Sequence, residues 1–264
     1  MMLKHGFFSF HIVDMSPWPL YLSSGVFMVI TSILYSMNFG LDYNLYLSLI
    51  FTVLSFYGWL RDVVSEGFLE GNHTLLVQKG LKMGMILFIV SEVLFFLSFF
   101  WSLFYCSISP SVEIYSWPPV GVVSLDPMGV PLLGTLVLIS SGVSITWSHH
   151  STMEGNKDDT MTSLVLTILM GVTFTALQCM EYFETSFSIS DSIFGSIFFM
   201  STGFHGIHVI IGTSMLTVCL FRVMKDQFSA KHHVGYEASI WYWHFVDVVW
   251  LLLYLCAYWW GKSF

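Results

Sequence analysis

Long apolar runs separated by short polar links repeat from one end of the chain to the other. Seven such runs lie at about 18–36, 42–60, 83–105, 128–148, 160–182, 192–221 and 238–260, each near or above the ~20 residues a helix needs to cross a bilayer. None alternates apolar and polar residues as a membrane-barrel strand does, and a lipid-exposed backbone must satisfy its own hydrogen bonds, so each run predicts a helix. The fold class that follows is an all-α membrane protein with seven transmembrane helices. Composition agrees. Of 264 residues 55% are hydrophobic and 10% charged, with a mean hydropathy of +0.74, far from a soluble domain and with no basic patch for nucleic acid.

The nine basic residues orient the array. With seven spans, Lys4, Arg61, Lys79, Lys82, Lys157, Arg222, Lys225 and Lys231 fall on one face and only Lys262 on the other, which predicts an N-terminus on the positive, inner side. The opposite face carries Asp42, Glu113, Asp126, Glu184 and Asp191. Short acidic loops are what remains once the bases are confined to one side, although a cationic partner would also be drawn there.

Two segments interrupt the regular succession. The polar stretch 61–82 reads as a long connection beside the brief link at 37–41, dividing an N-terminal segment and helix pair, 1–72, from a five-helix bundle, 73–264. The second, 106–127, holds Pro110, Pro118, Pro119 and Pro127 and predicts an ordered loop on the acidic face. No secretory or transit signal is visible ahead of the first run. Cys106, Cys179, Cys219 and Cys256 are too scattered for a clustered metal site and read as packing residues. Asn72-His73-Thr74 matches a glycosylation acceptor but lies on the inner face.

Candidate chemistry is sparse. Glu92 is the one ionisable side chain in the run 83–106, and a charge at mid-membrane costs at least ~2.5 kcal/mol even on lenient scales. It is therefore protonated, paired across a helix interface, or in contact with buried water. Its same-face neighbours Phe88, Ile89, Phe95, Phe96 and Phe99 offer no partner. His205 and His208, spaced i, i+3, share a helix face, and so do His244 and Asp247, whose imidazole and carboxylate are placed to pair within one turn. Buried histidines bonded to carbonyls, hydroxyls or a carboxylate account for this better than metal ligation, because no Glu-x-x-His arrangement accompanies them. Gly195, Gly203, Gly206 and Gly212, and Gly80 with Gly84, give small-residue faces for close helix contact.

These residues also carry a resemblance. Ser-Pro-Trp-Pro-Leu (16–20), Val-Gln-Lys-Gly-Leu (77–81), Gly-Met-Ile-Leu-Phe-Ile-Val-Ser-Glu-Val-Leu-Phe-Phe (84–96), Ser-Gly-Val-Ser-Ile-Thr-Trp-Ser-His-His (141–150), Thr-Gly-Phe-His-Gly-Ile-His-Val-Ile-Ile-Gly (202–212) and Trp-Tyr-Trp-His-Phe-Val-Asp-Val-Val-Trp (241–250) are similar to mitochondrial cytochrome c oxidase subunit III, over essentially the whole chain. The resemblance implies a seven-helix core subunit of the terminal respiratory oxidase in the mitochondrial inner membrane, its N-terminus on the matrix side. It implies no catalytic residue, metal or other cofactor in this chain. Haem a and copper would belong to partners, with the catalytic subunit I, subunit II and further oxidase subunits around it. The first two helices would splay from the other five, leaving a V-shaped, lipid-filled cleft. The family's phospholipid contacts map onto Trp59, Arg61, Glu66, His73 and Arg222. Glu92 matches its intramembrane glutamate, associated with carbodiimide reactivity, oxygen passage and sustained proton uptake. The chain departs from the family at Asn72, where a histidine is usual, and at Gly129 and Gly134, where bulkier polar residues are usual.

The expected role is accessory: stabilising the catalytic subunit and maintaining lipid, oxygen and proton access. Judged on chemistry alone, the rivals are a proton- or ion-coupled transporter using Glu92, Asp247 and the mid-membrane histidines, and a haem protein with His205 as axial ligand. No inverted repeat or broken-helix pair supports the transporter.

Overall fold

The structure, a computed structural model, describes residues 9–41, 43–110 and 116–262. Lys4, Asp42 and Glu113, used above to orient the chain, lie outside the described residues. Among the described residues, seven helices long and apolar enough to span a membrane follow one another: α1 (Trp18–Phe39), α2 (Tyr43–Phe68), α3 (Leu75–Ile108), α4 (Val130–Glu154), α5 (Lys157–Glu184), α6 (Ile193–Met224) and α7 (Val234–Leu253). A π-helical turn over Tyr254–Trp259 continues α7. Most helices overrun the apolar stretch that predicts them, because the hydrocarbon requires only the middle of each.

Local chemistry sets several boundaries. Pro19 sits in the first turn of α1 and Pro131 in that of α4, where the missing N–H goes unnoticed. Asn156 caps α5 and Ser192 caps α6, each side chain accepting a backbone N–H from three residues on. Gly155, with a left-handed φ of 78°, ends α4 and allows α5 to start two residues later.

The predicted long connection at 61–82 is corrected. Its irregular part is only 69–74, since α2 runs to Phe68 and α3 begins at Leu75. Polarity there marks departure from hydrocarbon; the chain turns at Gly71, whose φ is 65°.

Two compact units result, Met1–Leu81 and Lys82–Phe264, the division falling inside α3. In the first, α1 packs on α2, the Trp18 indole lying where a Cβ on Gly58 would stand. In the second, α4 packs on α5, α5 on α6, α6 on α7 and α7 back on α4, and Phe96, Phe100 and Leu103 of α3 join the common core. α7 is its centre: its Tyr236, Trp243 and Trp250 are among the largest completely enclosed side chains.

What holds α7 to α4 is a ladder of aromatic donors and hydroxyl acceptors. Trp250 Nε1 donates to Thr135 Oγ1 (3.1 Å), Trp243 Nε1 to Ser141 Oγ (2.9 Å), and the Tyr236 hydroxyl to Ser148 Oγ. Positions 236, 243 and 250 recur every seven residues and so share one helix face. The glycine expectation holds in part. Gly212 lies against Trp243, and Gly195 against the Ser188 carbonyl, whereas a Cβ on Gly206, Gly80 or Gly84 would meet nothing within 4 Å. Gly134, one of the departures from the family, lets the Phe174 ring approach: a Cβ there would stand 3.2 Å from it.

Candidate functional site

Glu92 lies midway along α3 and turns toward α6, where its Oε2 is 3.0 Å from His208 Nε2. The other ring nitrogen, Nδ1, is 2.7 Å from the Phe204 carbonyl one turn earlier. A carbonyl only accepts, so Nδ1 carries a proton, and a neutral imidazole then presents a lone pair at Nε2. The contact needs one proton between the two groups, on the carboxyl or on Nε2. Either arrangement is uncharged overall, which suits a pair enclosed by hydrocarbon. Phe95, Phe96, Tyr242 and Phe245 surround the imidazole, at ring-centroid distances of 5.1 to 6.5 Å.

His205 shares the helix but not the site. Its Nε2 donates to the Val246 carbonyl of α7 (3.3 Å), and the ring is completely enclosed against Phe174 and Trp250. Nδ1 is buried and has no hydrogen-bond partner among the described residues. An axial haem ligand needs an open side, and this ring has none.

The pairing expected of His244 and Asp247 is looser than their spacing suggests. Nδ1 and Oδ2 are 3.9 Å apart, beyond hydrogen-bond reach. Asp247 Oδ1 is buried with no partner among the described residues, and Oδ2 points at α4, 2.9 Å from where a Cβ on Gly142 would stand. Near the end of α5, Glu181 is also buried, in contact with the Tyr258 hydroxyl, which accepts from Gln178 Nε2 at 3.5 Å. Glu181 is absent from the candidates named above, although it is the only acid in the run 160–182, a signal that could have found it.

The proposed head-group residues fall in both units. In the first, Trp59 is partly exposed near the end of α2, and Arg61 Nη2 donates to Asp62 Oδ1 (3.1 Å). Asp62 also accepts from Trp18 Nε1. Glu66 Oε2 is 3.2 Å from His11 Nε2, and the His73 imidazole lies against Gly67. In the second unit, Arg222 at the end of α6 has its guanidinium 4.1 Å from the Phe228 ring centroid, and its Nε donates to Gln227 Oε1 (3.3 Å). Neither His11 nor Asp62 stands out in the sequence, because their partners lie far along the chain or form no pattern.

On the acidic face, Lys262 Nζ donates to Asp126 Oδ1 (3.0 Å) and ties the C-terminal end to the loop before α4. That bond, with one from the Met128 N–H, holds the Asp126 carboxyl below its ordinary value. Among the described residues, no group of three or more His, Cys, Asp or Glu side chains is arranged to hold a metal ion.

The family described as cytochrome c oxidase subunit III matches residues 8–262. Over 261 residues the chain is 52% identical to the cytochrome c oxidase subunit 3 of Rattus norvegicus, covering 98% of this chain and 100% of that protein. Coverage and identity are the same for the cytochrome c oxidase subunit 3 of Formosania lacustris. That of Lemur catta is 50% identical over 98% of this chain and 95% of its own length.

Proposed function

The chain belongs to the cytochrome c oxidase subunit III family, and on that footing we propose how its few polar residues serve the enzyme. It is a non-catalytic core subunit of cytochrome c oxidase, the respiratory complex IV, which reduces oxygen to water and translocates protons; the enzyme activity is that of the complex. The transporter reading falls away, since relatives matched over 98% of the chain are oxidase subunits.

Within that role the chain sits in the mitochondrial inner membrane with its N-terminus facing the matrix, packed against subunits I and II. Haem a and copper are held by those partners. Trp59, Arg61, Glu66, His73 and Arg222 form the head-group level of bound phospholipid: guanidinium forks fit phosphate, and tryptophan settles at the membrane interface. Oxygen is apolar and enters lipid without a carboxylate, so Glu92 with His208 sets the packing and hydration of the α3–α6 seam and does not guide the gas.

The observation that carries this reading is that the intramembrane carboxyl is already engaged inside the chain, by His208 at 3.0 Å, so it maintains a seam rather than meeting a passing solute. Purification tests it. The chain is expected in a stoichiometric complex with haem-copper subunits, colourless when separated, and without ion or proton flux when reconstituted alone. A coloured separated chain, or flux through it, overturns the reading.

A further inference from the structure

On the reading that the chain is assembled with other oxidase subunits, we propose that the seam between α4 and α7 seats one transmembrane helix of such a subunit. Asp247 and His244, set over Gly142, receive a hydroxyl or carboxamide side chain of that helix. The intramembrane acids differ in one respect. Glu92 meets His208 and Glu181 meets the Tyr258 hydroxyl, both inside the chain. Asp247 has no hydrogen-bond partner among the described residues: its Oδ1 is buried, and its Oδ2 stays 3.9 Å from His244 Nδ1.

The pair stands at mid-membrane depth. Asp247 is at the middle of the span Val234–Trp259, and Gly142 is the middle residue of α4, Val130–Glu154. Asp247 Oδ2 and the His244 ring lie 2.9 and 3.8 Å from where a Cβ on Gly142 would stand, so the three meet at one point of the seam. The His244 side chain is 39% exposed, and the imidazole opens outward. An apolar margin flanks this point on each helix: Ile139 and Val143 on α4, Val248 and Leu251 one and two turns after His244 on α7, all exposed. A small residue beside hydrogen-bonding side chains is the combination by which helices associate in membranes.

Chemistry selects the occupant. Acyl chains cannot bond a carboxyl or an imidazole, and head groups stay roughly 15 Å from the middle of a hydrocarbon layer ~30 Å thick. A lysine or arginine would carry its own charge into hydrocarbon. A hydroxyl or carboxamide both donates and accepts, so it serves the carboxyl and the imidazole together and brings no charge.

The test uses the intact oxidase, Asp247 and His244 unchanged, with a photo-reactive diazirine amino acid at Val143 or, in a second preparation, at Val248. Both positions are expected to crosslink to the same transmembrane segment of another oxidase subunit, one with a serine, threonine, asparagine or glutamine level with Gly142. Crosslinks to phospholipid alone, to a second copy of this chain, to two unrelated segments, or to a segment without such a side chain overturn the inference. Asp247→Leu reads the polar contact: loss of one interhelical hydrogen bond predicts about three- to twentyfold more free chain when the complex is titrated with detergent. Asp247→Asn, which keeps an acceptor, is expected to match the parent. Retention of the Leu variant at the parent's level overturns the assignment, and so does equal loss from the Leu and Asn variants. If the complex purifies with its haem-copper subunits but the seam meets only lipid, the seat on α4 and α7 fails and the accessory reading stands; a chain that enters no such complex sinks both.

Discussion

Glu92 of α3 and His208 of α6 are joined by a 3.0 Å contact, and the Phe204 carbonyl fixes which imidazole nitrogen makes it. Interhelical hydrogen bonds inside membranes average about 0.6 kcal/mol and reach about 1.7 kcal/mol. A double-mutant cycle on Glu92→Ala and His208→Ala, read by thermal unfolding of the complex, is expected to return a coupling in that range. Glu92→Gln, whose amide can donate to Nε2, is expected to stay within a few tenths of a kcal/mol of the parent. Additive single variants would mean that the two residues do not act as a pair.

The α4–α7 ladder predicts an asymmetry between its two sides. Ser141→Ala leaves the fully buried Trp243 Nε1–H without an acceptor, a cost of about 1–3 kcal/mol. Trp243→Phe removes donor and volume together, opening space beside Gly171 and Gly212, so it should cost more, about 2–4 kcal/mol. Melting of the purified complex, or retention of this subunit in detergent, ranks the two.

Glycine substitutions separate contact from mere smallness. A Cβ on Gly171 would stand 2.4 Å from Thr213 Cγ2 and 2.7 Å from Trp243, so Gly171→Ala is expected to destabilise by about 1–3 kcal/mol. Gly206 faces open space within the chain, and Gly206→Ala should be neutral or better by up to about 1 kcal/mol through helix propensity. A strong loss at Gly206 would locate a partner subunit's helix against it.

Asp247 keeps a buried oxygen that has no partner among the described residues, and a histidine 3.9 Å away. Replacement by asparagine removes the ionisable carboxyl while keeping the shape, so Asp247→Asn is expected to preserve subunit retention and thermal stability or raise it slightly. A clear loss of either would reveal that the carboxyl is needed by something outside this chain.

The Asp126–Lys262 bridge is exposed and should respond to pH and salt. The Asp126 carboxyl is held low in the folded chain, so its stabilising contribution is present above the ordinary value of 3.8 and is lost as pH falls through the lower folded value. Raised salt should weaken the bridge as well. Hydrogen exchange in the 116–129 loop is expected to rise under either condition and in Lys262→Ala; protection unchanged by all three would discount the bridge.

Hydropathy along the chain is enough to establish the class of solvent and the number of crossings. The apolar character of 18–36 or 192–221 is a local property, and lipid leaves a helix as the only open-ended way to satisfy the backbone. Glu92 is equally legible, because one acid in an apolar run stands out whatever surrounds it. Motifs in 84–96, 202–212 and 241–250 carry the family. Helix ends are less legible: polar residues at 61–68 and 75–82 continue as helix once outside hydrocarbon, so polarity marks the edge of the lipid and not the edge of the element.

Partners, by contrast, emerge only from the packed helices. His208 lies 116 residues from Glu92, His11 lies 55 from Glu66, and Ser141 lies 102 from Trp243. No periodicity links such positions, because contact between helices depends on how large and small residues interdigitate across a seam. The same packing separates Gly212, which admits Trp243, from Gly206, which admits nothing. It also sets His244 Nδ1 and Asp247 Oδ2 3.9 Å apart despite their spacing, the carboxylate turning toward Gly142 of α4.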